Sequence, residues 1–524
     1  MRRLRLLLLL IAVAGLSLLA TALVLRLPGA VTLIGNADAL YLPALFDDLH
    51  RGLDALRGWH LTPGPYVFPD MAVYGLTDLA TGDFRQALPL AAALQLGLLL
   101  LLGGAVHRAA GGRSPAMAVA ILALVLALLF GFGWGLAGAY ALNWLVYPFV
   151  VTFHFGAILI AAAALLLVLR QLERPGPWPL AGLATLILAG VLSDSFVLPY
   201  AAAPALALSL LCALAPRGRG AALAAAAVVG AAALAAYLAQ DWINPLNGVY
   251  RRQLDLGIGY GLSRLGGVLW RASAAETAVN LGLIAFALLP VLRTLAVLRA
   301  LAAGHRVVEP ADRIAVFAAA SSLATLLAVV LFGIFRDDSF LRYFQPWWLL
   351  TALWLAHLAA DRLRVPHWSA GTVLAVLLAA AAMFWARPAQ LAARIVPPPT
   401  LACFAGQAPV AGLTGYWWAK PLVLHSGRRV QIAQVARNGA PYHWIVNEDW
   451  AKADWTGGAG GPQASQAPPF GFILMDGLHA RAIAARYGMP DRVERCAGIP
   501  LWRYDDPDRL RRPLAAAAPV TLPD

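Results

Sequence analysis

Apolar runs, repeated along almost four hundred residues, constrain this chain more than any motif. They lie near 4–26, 88–106, 115–137, 142–169, 179–193, 196–214, 220–239, 277–298, 314–335, 344–360 and 369–386. A bilayer core asks for roughly 20 apolar residues per helix. Lipid also forbids unsatisfied backbone groups, so runs of this length read as helices. Of all residues 60% are hydrophobic and 13% charged, whereas soluble chains run near a quarter charged. The expected class is a polytopic α-helical membrane protein with about 11 transmembrane helices. Ser193-Asp194-Ser195 interrupts the 179–214 stretch and reads as a tight turn between two short spans. Arg2, Arg3 and Arg5 before the first Leu-rich run also describe a signal peptide, with Ala20-Thr21-Ala22 as a cleavage site. The apolar character continues to Leu25, so a retained helix is expected.

The net charge of +13 follows the membrane rather than nucleic acid. Loops assigned to the cytoplasm carry fifteen Arg, from Arg2 to Arg364, against Glu173, Glu309, Asp312 and Asp361. That is the positive-inside pattern. The segments assigned to the other side (27–87, 193–195, 240–276 and 336–343) hold thirteen acids against nine Arg. The expectation is a bacterial inner-membrane protein with a cytoplasmic N-terminus and everything after 386 periplasmic.

Residues 1–386 then form the membrane domain, with 27–87 its first periplasmic loop. In that loop 42–59 spaces Leu42, Leu45, Phe46, Leu49, Leu53, Leu56 and Trp59 against Asp47, Asp48, Arg51 and Asp54. The spacing predicts an amphipathic helix, lying on the membrane surface or packing on the bundle. Residues 387–399, ending in Pro397-Pro398-Pro399, form a linker. Residues 400–524 are expected to be a small α/β periplasmic domain. Its strands are predicted at 401–404, 430–435, 472–475 and 501–504, its helices near 413–425 and 478–487, and a Gly/Pro-rich loop over 457–469. Three cysteines are too few for a disulfide framework. Cys212 sits in an apolar run; Cys403 and Cys496, both beside strands of one domain in an oxidising compartment, are expected to pair.

No P-loop, dinucleotide fingerprint, G-x-S-x-G or metal-spaced His/Cys cluster occurs, and no residue is assigned to a metal. The remaining signal is ionisable residues at or near membrane depth, where burial is costly. Asp38, directly after the first span, suits a general base at the membrane–water boundary, or equally a helix cap alongside Asn36. His154 falls two to three turns into the fourth apolar run, as a packing residue or a catalyst. Asp194 is a turn residue or a site residue. Arg342-Tyr343-Phe344-Gln345-Pro346 opens a late span; a guanidinium there can hold a phosphate, or pair with Asp337 or Asp338. Arg251-Arg252 offers a second basic pair, also explicable by lipid headgroups. Asp38, Arg342 and at least one of His154, Asp194 and Asp70 are expected to share one hydrated cavity.

Together these features resemble the membrane-embedded GT-C glycosyltransferases. There, an acid in the first periplasmic loop serves as catalytic base, and Asp38 stands at the matching place. An interfacial amphipathic helix follows it, a place that 42–59 could take. An Arg-Tyr-x-x-Pro element opens a late span near a polyprenyl-carrier phosphate, matched by Arg342, Tyr343 and Pro346. Many members carry paired acids; here Asp38 stands alone, with Asp47 and Asp48 nine residues on. The resemblance implies transfer of a sugar from a polyprenyl-phosphate donor to a glycan, lipid or protein acceptor, with the leaving phosphate balanced by Arg342 or a divalent metal. It covers 1–386 as architecture and two short motifs as residues. Gly415-Tyr416-Trp417-Trp418-Ala419-Lys420 is also shared with such proteins, without a role. The rival classes are a transporter, which predicts an internal repeat not seen here, and a non-catalytic membrane scaffold, which predicts that Asp38 and Arg342 are dispensable.

Overall fold

A computed structural model describes residues 2–215, 218–243, 257–270, 273–304, 307–363, 387–451 and 469–520. The expected span 369–386, the loop 457–468 and Arg251-Arg252 lie outside them. The chain divides into two compact units: Met1–Ala30, Tyr66–Asp241 and Arg252–Arg394 form one; Val31–Pro65, Trp242–Arg251 and Ile395–Asp524 form the other.

Unit 1 is helical. Seven of its helices are long and apolar enough to cross a membrane: Leu6–Val24, Phe84–Ala109, Pro115–Leu145, Phe155–Glu173, Arg219–Gln240, Ala274–Ala302 and Pro310–Leu331. Two shorter apolar helices, Pro177–Ser193 and Leu198–Ala213, and the 16-residue Gln345–Ala360 join them in unit 1. Local chemistry sets the starts. The Asp83 carboxylate accepts from the Arg85 amide at 3.0 Å, and Pro115, Pro310 and Pro346 occupy first turns, where no amide is needed. Phe155, Ile158, Leu165, Leu183, Phe317 and Phe344 fill the core. Outward faces stay apolar: Leu124, Leu128 and Phe132, four residues apart, are 57, 61 and 70% exposed. Such a stripe suits lipid and not water.

The fourth apolar run corrects the sequence reading. It breaks at 146–154 instead of continuing from 142 to 169. A helical stub, Leu142–Leu145, leads into a short 3₁₀ turn, Tyr147–Phe149, and the long helix restarts at Phe155. Pro148 has no amide to continue the ladder, and Thr152, Phe153 and His154 all take left-handed backbone angles (φ 84, 56 and 69°). Buried amide side chains satisfy the freed carbonyls. The Gln95 Nε2 donates to Pro148 O (2.8 Å) and Val150 O (3.1 Å), and the Gln345 Nε2 donates to Phe153 O (2.7 Å). His154 therefore occupies the N-cap position of the restarted helix and does not lie two to three turns inside it.

Unit 2 is built on a five-stranded sheet in the order β3-β2-β5-β7-β6, with β2 Val410–Thr414, β3 Val430–Gln434, β5 Phe470–Leu474, β6 Arg492–Cys496 and β7 Ile499–Arg503. β3, β2 and β5 run parallel; β7 and β6 are antiparallel. Helix Tyr416–His425 makes the crossover from β2 to β3 that a parallel pair requires. Leu413, Ala433, Ile473 and Trp502 of the sheet form a core with Ile483 and Leu510 of helices Ala480–Tyr487 and Asp508–Ala516. β1 Trp59–His60 and β4 Val446–Asn447 form a separate antiparallel pair. Two expectations fail here. Residues 401–404 are a 3₁₀ turn, Pro399–Phe404, because the prolines before it supply no donors to a sheet. The 42–59 helix stops at Leu49, after nine residues, and Gly52 (φ 122°) turns the chain toward β1. Cys403 and Cys496 are disulfide-bonded, with Cα atoms 5.9 Å apart.

Candidate functional site

The ionisable residues singled out from the sequence fall into two groups, one per unit. In unit 1 the group is centred on His154. Its Nδ1 lies 2.7 Å from Asp194 Oδ2, and its Nε2 lies 3.5 Å from the Tyr66 hydroxyl. Asp194 caps the end of Pro177–Ser193, and its other oxygen accepts from the Phe196 amide at 2.9 Å. A carboxylate at Nδ1 orients the ring and favours the tautomer with a proton there. Nε2 is then the acceptor facing Tyr66. The ring packs on Phe196 (4.4 Å) and Tyr343 (5.0 Å), and Phe196 stacks on Tyr343 with planes 5° apart. Arg342 lies over the rings of Phe153, Phe340 and Tyr343, at 5.0, 5.2 and 5.3 Å. Its stretch, Asp338–Phe344, is a 3₁₀ turn immediately before the helix that Gln345 opens. A cation, a proton-accepting imidazole and two carboxyls thus gather at helix starts and ends.

Asp70 is the second of those carboxyls. It is buried in the turn Val67–Met71, against the first turn of Phe155–Glu173. A Cβ at Gly156 would lie 2.0 Å from its Oδ2, so only glycine admits the carboxyl there. Asp70 lies between the first two spans. Burial, and then the Asp194 charge, hold its carboxyl up at about 7, against the pull of the Thr152 and Gly156 amides. The folded state therefore keeps a proton that the unfolded chain has released, from the usual carboxylate range up to neutrality. Stability contributed by this proton is full at low pH and is lost as pH rises toward 7. Asp70→Asn is expected to unfold at higher temperature than the parent near pH 8, by about 2 kcal/mol of stability, with the gap closing toward about pH 4. Thermal unfolding in detergent across that range checks this; a gap that widens on acidification contradicts it.

Unit 2 holds Asp38, Asp47 and Asp48. The Asp38 carboxylate, half-buried, accepts from the Tyr416 hydroxyl. It is not needed as a turn cap, because the Asn36 side chain takes that place, accepting from the Ala39 amide at 2.9 Å. Lys420, one helical turn beyond Tyr416, is fully buried; its ammonium lies 4.2 Å from the Tyr416 ring and donates to Ile445 O at 2.7 Å. Burial pulls that ammonium down to about 7, with Asp38 acting in the opposite sense. Asp38, Tyr416 and Lys420 are thus one chain of polar groups. The sequence signal for the last two was the Tyr416–Lys420 segment, noticed there without a role.

Asp47 and Asp48 are engaged otherwise. Both accept from Arg428, and Asp48, with no exposed surface, also accepts from Trp59 Nε1 (2.9 Å), Asn447 Nδ2 (2.9 Å) and Trp450 Nε1 (3.0 Å). A carboxylate saturated by four donors holds the segment 41–60 to the sheet-bearing part of its unit, and no face of it is left for a substrate. A further cluster, His60, His443 and Glu448, was not legible in the sequence, since 383 residues separate its first two members.

No protein-family model and no curated protein matches the chain. Among solved structures it is similar to ArnT from Cupriavidus metallidurans in the apo state, with TM-score 0.47, 14% identity and 100% of both chains covered. It is likewise similar to ArnT from the same organism bound to undecaprenyl phosphate, with TM-score 0.46, 15% identity, and 94% of this chain and 97% of that one covered. Both scores lie below one half, and neither fixes the family or the reaction of this chain.

Proposed function

We propose that this chain is a membrane glycosyltransferase of the GT-C kind, acting on the periplasmic face of a bacterial inner membrane. It takes a sugar from a polyprenyl-phosphate carrier and passes it to an envelope glycan, lipid or protein. The observation that carries the reading is the grouping in unit 1. Tyr343 of the Arg-Tyr-x-x-Pro element packs on the ring of His154, which pairs with Asp194, and Arg342 beside it lies over the rings of Phe153 and Tyr343. A planar guanidinium stacked on three rings is fixed in orientation before a phosphate arrives, which favours bidentate contact. In this reading Asp38 removes the acceptor hydroxyl's proton as that oxygen attacks the anomeric carbon. The bond from that carbon to the phosphate oxygen breaks, and the lipid phosphate leaves as an anion.

The test is a deletion strain compared with its parent for lipid-linked sugars and envelope glycans. The expected result is accumulation of one lipid-linked sugar and loss of one modification, both restored by the wild-type chain. Unchanged glycans and lipids would favour the scaffold. In the complemented strain Arg342→Lys is expected to lower transfer by roughly tenfold to a hundredfold, the cost of losing paired charge-assisted hydrogen bonds. Its expression and melting temperature should stay near those of the parent.

A further inference from the structure

His60 lies on β1, and His443 and Glu448 flank β4. The two strands pair with Trp59 opposite Asn447 and His60 opposite Val446, and the Glu448 amide donates to Gly58 O at 2.7 Å. Gly58 is what lets the strands close. A Cβ there would lie 2.3 Å from Asn447 Oδ1 and 2.8 Å from the Asp449 carboxyl carbon. The His443 amide is held separately, by Val520 O at 2.9 Å. Three different backbone anchors therefore deliver three side chains to one point.

At that point His60 Nε2 lies 3.1 Å and His443 Nδ1 3.8 Å from the same oxygen, Oε2 of Glu448. All three atoms fall within 4.8 Å of one another, and each residue is partly buried. The rings lie 4.6 Å apart and are tilted by 31°. Metal–ligand bonds of about 2.0–2.2 Å in a tetrahedral site put neighbouring ligand atoms roughly 3.3 Å apart. The observed separations bracket that value, so a metal ion needs only side-chain adjustment to sit among them. We infer that His60, His443 and Glu448 form a binding site for one divalent transition-metal ion of the zinc class, distinct from the proposed transfer site. Two imidazoles with one carboxylate suit zinc; magnesium and calcium call for oxygen ligands throughout. Three protein ligands leave a fourth position for water. Because the ligands come from residues 60 and 443–448, the ion cross-links the first-loop segment to the C-terminal segment within unit 2, beside the buried Asp48 network.

The test uses the full-length chain, purified in detergent on a tag that needs no metal, stripped with chelator and dialysed against zinc. One zinc ion per chain is expected by elemental mass spectrometry, retained in excess magnesium. Cobalt in its place should give the visible absorption of a four-coordinate ion. His60→Ala and Glu448→Gln should each weaken zinc binding by about 100-fold or more, above the loss seen when only supporting residues are removed. His107→Ala should leave it unchanged, since His107 belongs to a separate pair in unit 1, its Nδ1 lying 3.1 Å from Nδ1 of His357. If the ligand variants fail to fold, the wild-type stoichiometry and cobalt spectrum decide alone. No zinc and no cobalt band on the wild-type chain would overturn the site in favour of a plain hydrogen-bonded triad. Undiminished zinc in both ligand variants would overturn it as well, by placing the ion elsewhere.

Discussion

Asparagine in place of Asp38 is expected to lower transfer by about 100- to 10,000-fold, the usual contribution of a positioned general base. The fold should be untouched. Asparagine keeps the shape of the side chain and an oxygen that can accept from Tyr416, and the local turn depends on Asn36 instead. What is lost is the negative charge that takes the acceptor's proton. The measurement is restoration of the missing modification in the deletion strain, with expression and melting temperature as controls. Tyr416→Phe separates two roles. It removes a hydrogen bond that weakens the base, so activity should persist with an altered pH profile, whereas a purely architectural contact would cost stability and leave the profile in place. If Asp38→Asn keeps half of the parent's activity, Asp38 is not the base.

Asp48→Ala is expected to destabilise unit 2 by about 3–5 kcal/mol, because it takes the buried carboxylate away from the buried Arg428 charge and leaves it only the more exposed Asp47. Trp59, Asn447 and Trp450 lose their acceptor at the same time. The full-length protein should show a lowered unfolding transition and faster proteolysis within 395–520. Asp48→Asn, which retains an acceptor, should cost less. Combining Asp48→Ala with Arg428→Met should recover part of the loss, since an apolar pair is cheaper to bury than one stranded charge. A melting temperature within about 2 °C of the parent for Asp48→Ala would contradict the account.

The two replacements differ in what sequence reading could offer. Asp38, Asp47 and Asp48 looked alike as acids near a membrane boundary. Their roles diverge because Arg428, Tyr416, Asn447 and Trp450, which select among them, lie several hundred residues away. His154 and Asp194 were visible as costly charges in apolar surroundings, but their pairing across forty residues was not. Neither was the break at 146–154 that aims His154, since its physical basis is Gln95 and Gln345 reaching across the bundle to satisfy carbonyls. Within unit 2 the helices 416–425 and 480–487 followed their periodicity. β2 and β6 escaped notice: β2 is Val-Ala-Gly-Leu-Thr, too short and too small to stand out, and four of the five β6 residues are exposed.

By itself the sequence determined the solvent. Apolar runs of bilayer length, an excess of arginine in alternate loops and a polar C-terminal region leave lipid as the medium for most of the first 360 residues, because burial of apolar surface is additive along the chain and needs no partner to be read. Tertiary structure alone decided which polar groups act together. Hydrogen bonds and ion pairs depend on angles and on distances of about 3 Å, and such distances between residues 38 and 416, 48 and 428, 60 and 448, or 154 and 194 exist only once the chain has folded.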